Sequence, residues 1–205
     1  MYYNIAQTQE VTEMAYDKKQ VADKLVRWDR YIKELHLPRY DELPGLELYM
    51  DQVIVLLNQY LRHFVFAASE DKLITPSMVN NYVKMKLLPA PVKKKYGRTH
   101  LACLIMICTL KQTLSISVIK RMLPVGDEAE VCRQYDEFVS THQRLSNLFA
   151  QQVMDASEEI FNLSFDRGNE VANLAMSAGL ASAFGRLLTE KIVALQLPDP
   201  TSDNN

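Results

Sequence analysis

Apolar positions recur with helical spacing along most of the chain. Val21, Leu25, Trp28, Ile32 and Leu35 step by four and three, which is one stripe of an amphipathic helix over about residues 17–36. Pro38 and the Leu43-Pro44-Gly45 turn end it. A second helix is predicted from about Leu46 to Ala67. It carries the apolar run Val53 to Leu57, then Tyr60, Leu61, Phe64 and Val65. Being apolar over more than one face, it is expected at the centre of the core. Thr75-Pro76 predicts a third, short helix running to about Met85, because Thr caps well and proline loses nothing in the first turn. Its apolar face is Met78, Val79, Tyr82 and Val83; the opposite face is Ser77, Asn80, Asn81 and Lys84. Adjacent asparagines are poor helix formers. They suit a face whose side chains hydrogen-bond something outside the protein.

Two prolines within three residues forbid helix between Leu87 and Tyr96. A short extended loop or hairpin with a basic tip, Lys93-Lys94-Lys95, is expected there. Leu101, Leu104, Ile105, Ile107, Cys108 and Leu110 mark a buried helix over about 98–112. Ser115 caps a short helix with Ile116, Ile119 and Leu123 inward, closed by Pro124. Val131, Tyr135, Phe138, His142, Leu145, Phe149 and Gln152 resume the four-three rhythm on a long helix, about 127–161, whose acidic start suits its dipole. A last helix, about 169–194, is rich in Ala, Ser and Gly, and small residues let helices approach closely. The expected division is an N-terminal helical arm (1–45), a central domain (46–125), a C-terminal helical region (126–197) and a frayed tail (198–205).

Composition adds little: 205 residues, 48% apolar and 23% charged, are ordinary for a globular protein. Net charge is only −2, but the charge is segregated. From Lys72 to Gly126 there are ten bases and no Asp or Glu. Residues 1–71 carry 8 bases and 12 acids, and residues 127–205 carry 5 bases and 13 acids. A basic segment inside an acidic chain is the electrostatic footprint of a polyanion partner. The longest apolar run, Leu101 to Leu110, is too short to cross a membrane, and no signal peptide is evident, so no membrane partner and a cytoplasmic location are expected. Cys103, Cys108 and Cys132 have no metal-ligand spacing and read as reduced, buried thiols. Paired carboxylates such as Asp127/Glu128 and Glu158/Glu159 lack a histidine partner, and His36, His63, His100 and His142 lack ligand spacing. No nucleophile elbow or phosphate-cradling glycine loop occurs. The expectation is a non-enzyme with no catalytic residue, no metal and no cofactor.

The order of short polar-faced helix, Leu87-Leu88-Pro89, basic loop, Tyr96, buried helix and short capped helix resembles the DNA-binding half of MerR-type winged helix-turn-helix regulators. Setting Leu87-Leu88 on that pattern places Asn80-Asn81-Tyr82 on the recognition helix and Tyr96 on the wing tyrosine. The sequence Leu73 to Lys84, followed by Pro-x-Pro and Lys-Lys-Lys-Tyr, is closer still to a bacterial family catalogued as domain of unknown function 1836, itself regarded as MerR-like. The likeness covers roughly residues 20–125. It implies an all-α protein with a small β wing, and a C-terminal helical bundle or dimerisation region. Asn80 stands where MerR regulators have arginine and Lys86 where they have glycine; the wing is shorter and lacks its turn glycine.

The resemblance implies double-stranded DNA as partner and transcription regulation as function. The helix from Thr75 would enter the major groove, with Asn80 or Asn81 paired to adenine and flanked by Ser77 and Lys84. Lys93, Lys94, Lys95 and Arg98 would meet phosphates, and Tyr82 would turn its ring inward, either as core alone or with its hydroxyl reaching a phosphate. Tyr96 joins this set through its place on the wing. Such regulators pair over two half-sites, so a homodimer through the C-terminal helices is one reading of the 127–161 stripe; the other, favoured by the polar His142 and Gln152 on it, is a helix packed within the chain. No small-molecule effector is legible. The alternative is a helical interaction module whose basic segment docks an acidic partner, its own C-terminal half included.

Overall fold

Leu101 to Cys108 are eight consecutive buried residues. A helix apolar on every side has to be surrounded, and this one is the axis of the protein. A computed structural model describes residues 16–64, 73–123, 126–164 and 168–196. Among them lie eight α-helices: α1 (Lys18–Lys33), α2 (Met50–Tyr60), α3 (Pro76–Lys84), α4 (Arg98–Leu110), α5 (Ile116–Met122), α6 (Glu128–Ala156), α7 (Glu158–Phe161) and α8 (Glu170–Ala194). The protein is mostly helical, and the central axis is α4, with α2 and α6 packed against it.

Local signals set most helix starts. Asp17, Thr75, Ser115 and Asp127 each cap a helix by accepting a backbone N–H three residues on. The stripe Val21, Leu25, Trp28, Ile32 and Leu35 is half-buried where α1 lies on α6 and α7, with Trp28 edge-on to Phe149 at 5.9 Å. The long helix breaks at Ser157, which separates α6 from α7 and donates its hydroxyl to the Val153 carbonyl at 2.6 Å.

Two expectations need correction here. The second helix starts at Met50, not Leu46, because Leu48 pairs with Tyr96 through two 2.9 Å backbone hydrogen bonds and is held extended. It is also one-sided: Val53 and Leu57 are fully buried, while Val55 is 59% exposed. It ends in a 3-10 turn, Arg62–Phe64; its expected continuation to Ala67 lies outside the described residues, as do Pro124 and the tail. The expected β wing is not a strand ladder. The described residues contain only two isolated bridges, Leu48 with Tyr96 and Val92 with Lys95.

The loop between α1 and α2 is tied down from two sides. The Tyr40 hydroxyl meets Thr99 Oγ1 at 2.9 Å and donates to Glu128 at 3.0 Å, while its backbone N–H donates to Asp136 at 2.8 Å. The start of α6 therefore belongs to the same packed unit as α4.

The last helix is the exception. It is long and apolar enough to cross a membrane by length and composition (an 18-residue window of mean hydropathy 1.3), a longer stretch than Leu101–Leu110. Only Glu170 and Val193 on it are buried.

Candidate nucleic-acid interface

The predicted polar face exists. Thr75 Oγ1 accepts from the Met78 N–H at 3.3 Å and starts α3. Val79 and Tyr82 are buried, and Met78 and Val83 are half-buried. Ser77, Asn80, Asn81 and Lys84 are all exposed on the other side. Helical spacing alone put them together.

The helix ends in a Schellman motif. The Leu87 N–H donates to the Tyr82 carbonyl at 2.9 Å and the Lys86 N–H to Val83 at 3.0 Å. Lys86 takes the left-handed conformation this motif requires, with φ 55°. A lysine thus holds a position where glycine is favoured, and its cation lies exposed just beyond α3.

The basic tip is a two-residue turn. The Lys95 N–H donates to the Val92 carbonyl at 2.9 Å. Lys93 and Lys94 both have positive φ, 49° and 63°, the pattern of a type I′ turn, which ordinarily takes Asn-Gly. Both side chains are exposed, and neither makes an ion pair among the described residues.

Four of the ten predicted contact residues are engaged within the protein. Tyr82 is 5% exposed and Tyr96 3% exposed; burial pushes the Tyr82 phenol up to about 12 and raises that of Tyr96. Tyr82 is therefore core rather than a phosphate-facing hydroxyl, and Tyr96 anchors the hairpin to Leu48. Arg98 donates Nε to the Leu43 carbonyl at 2.9 Å, with its guanidinium beside Gly45. Lys95 lies 3.9 Å from Glu47 and 5.8 Å from the centre of the Tyr49 ring. Ser77, Asn80, Asn81, Lys84, Lys93 and Lys94 remain on the surface.

Other predicted bases also divide. Lys111 donates to the Leu73 carbonyl at 2.6 Å, and burial lowers its ammonium pKa. Lys120 and Arg121, in the last turn of α5, are exposed. His100 is structural: its Nδ1 accepts from the Gly97 N–H at 3.1 Å at the start of α4, and burial lowers its pKa. The connection from α2 to α3 runs over residues 61–75, much longer than the three- to four-residue turn of a simple helix-turn-helix.

Sequence spacing missed one cluster. His63 and His142 are 79 positions apart in the chain, but their rings lie 6.0 Å apart beside Phe64 and Phe138. No local pattern could have joined them. No group of three or more His, Cys, Asp or Glu among the described residues is placed to hold a metal ion. All three cysteines are free thiols; Cys103 and Cys108 are buried and raised to about 11 and about 12, and Cys132 is half-buried.

Residues 38–138 match the model of a family described as Domain of unknown function (DUF1836). The match reaches beyond the expected central domain to take in the Tyr40 loop and the first turns of α6. No curated protein and no solved structure matches the chain.

Proposed function

With residues 38–138 belonging to that family, we propose that the domain binds double-stranded DNA and that the protein is a transcription regulator. The observation that carries this reading is the surface of residues 73–123. It holds exposed Lys84, Lys86, Lys93, Lys94, Lys120 and Arg121, and no acid. The only ion pair that a base of this segment makes among the described residues is that of Lys95 with Glu47. Unneutralised cations on a rigid scaffold suit phosphate contacts, which supply sequence-independent affinity. The Asn80 and Asn81 amides are exposed on an α-helix, the element the major groove is wide enough to admit, and there an amide pairs bidentately with adenine.

Lys93 and Lys94 support the same reading from the backbone. Two lysines in left-handed conformation are a local cost, of order 1 kcal/mol or more each. A solvated loop gains nothing from that choice. A phosphate contact gains two cations held at the apex of a tight turn.

The competing reading, a basic face docked on an acidic protein, is tested by the same measurement. Binding of the full chain to mixed duplex DNA is titrated against salt, beside the Lys93→Ala/Lys94→Ala variant. The proposal expects affinity to fall steeply with salt, and the variant to bind more weakly with a slope reduced by about 1–2. Absence of binding at ~50 mM salt, where phosphate contacts are strong, sinks it and leaves the acidic protein partner.

A further inference from the structure

The helix α8 is fastened at both ends and bare between them. At its start Glu170, 7% exposed, lies 3.6 Å from Lys18 of α1. At its end Val193 is buried against the body, and Gln196 Nε2 donates to the Arg121 carbonyl at 3.1 Å. Residues 175–188 are all exposed. That is about four full turns, so every side of the helix is open. The run Val171 to Gly185 has no charged residue. Met176, Leu180, Phe184, Leu187 and Leu188 are each more than half exposed. Of the charges that follow, Arg186 and Glu190 pair with each other at 2.9 Å. At 3.6 residues per turn the five apolar side chains fall within about 120° of the circumference, one broad apolar face with no cover.

A bilayer does not fit. The uncharged run of 15 residues spans about 22 Å, against about 30 Å of hydrocarbon. Both ends are bonded to one folded body, whereas a spanning helix puts its ends on opposite sides. A helix lying in the membrane surface would carry a cationic face, which α8 lacks.

The glycines identify the occupant. A Cβ added at Gly179 or at Gly185 would meet nothing within 4 Å among the described residues. Mid-helix glycine costs roughly 0.5–1 kcal/mol relative to alanine, and no contact among the described residues explains either one. Ala175, Gly179 and Ala183 recur every fourth residue and make one narrow small-residue edge. An open groove of about 530 Å³ separates Gly179 and Ala183 from Gln112 and Thr113. We infer that α8 is the self-association surface of this protein, with a second copy's α8 crossing it at Gly179 and Ala183. A helix of this length and about 10 Å width has a lateral surface of roughly 1,200 Å². Burying half of it on each copy removes roughly 1,200 Å² in total, within the range of specific interfaces.

The test is independent of the DNA proposal, because it uses the full chain alone. Sedimentation of the full chain should give twice the 23.5 kDa chain mass. Gly179→Leu should weaken association at least ~10-fold, as overpacking at a close contact does. Leu180→Glu should do the same by placing like charges across the interface. Both sites are open in the single chain, so far-ultraviolet helicity should not change. A monomer at ~100 μM overturns the inference, since the cover must then come from within the chain. So does a dimer indifferent to both substitutions, or co-sedimentation of the chain with vesicles of phosphatidylcholine and phosphatidylglycerol.

Discussion

Tyr135 donates its hydroxyl to the Pro38 carbonyl at 2.8 Å, joining two residues 97 positions apart. The phenol is fully buried on α6, and its ring lies 6.4 Å from that of Tyr40. One part-buried bond therefore closes the two ends of the region 38–138 on each other. Tyr135→Phe keeps the ring and removes the donor to a half-buried carbonyl, so it should cost about 1 kcal/mol. Urea unfolding at constant m-value measures this; no change in the midpoint would mean that solvent reaches the Pro38 carbonyl.

Lys86 occupies the left-handed position of a Schellman motif at φ 55°. Glycine there relieves the strain at a modest cost in unfolded-state entropy. Lys86→Gly should raise stability by about 0.5–1 kcal/mol, read as an upward shift in the urea midpoint. A destabilised variant would show that the lysine stem packs on the end of α3.

The turn at Lys93 and Lys94 should separate stability from binding. Lys93→Asn/Lys94→Gly installs the residues a type I′ turn favours. The variant should be more stable by about 1 kcal/mol and should bind duplex DNA more weakly with a shallower salt slope. Increased stability with unchanged binding would remove the hairpin tip from the proposed interface.

The asparagines should behave differently from the lysines. If Asn80 or Asn81 reads a base, replacing it by alanine should relax discrimination at one position by about 1–3 kcal/mol. The salt slope should stay as it was, since no phosphate contact is lost. Selection from random duplexes by each variant makes the comparison; a change in slope without a change in preferred sequence would make these residues positioning contacts.

The His63–His142 pair predicts an acid limit to stability. Neither ring nitrogen of His63 has a hydrogen-bond partner, and Nδ1 of His142 has none. Burial first, then neighbouring His142 and Arg62, lower His63 to about 4; burial also lowers His142. The unfolded chain, with imidazole near pKa 6.5, binds more protons than the folded one between these values. Stability should therefore be complete above about pH 6.5 and be lost as pH falls through about 4, by an amount on the order of 3 kcal/mol for His63. His63→Phe should flatten the dependence of the urea midpoint between pH ~7.5 and ~4.5. An unaltered dependence would assign the acid loss to carboxylates.

Local chemistry was enough for most helices and for the polar face of α3. Caps at Thr75, Ser115 and Asp127 act within three residues, and apolar spacing declares which side of a helix faces inward. The ten-base segment without acids was equally plain in the chain. Packing between distant segments decided the rest. Leu48 is extended because Tyr96 pairs with it, so α2 starts late. Tyr82, Tyr96, Arg98 and Lys95 look like surface contacts in sequence, but Tyr82 and Tyr96 are buried, Arg98 donates to Leu43 and Lys95 pairs with Glu47. Whether a cation is free depends on which carbonyl or carboxylate the fold brings beside it, and a local pattern carries no information about a neighbour fifty residues away. The same limit hid the two histidines and the bare flank of α8, because exposure belongs to the assembled surface and not to any one segment.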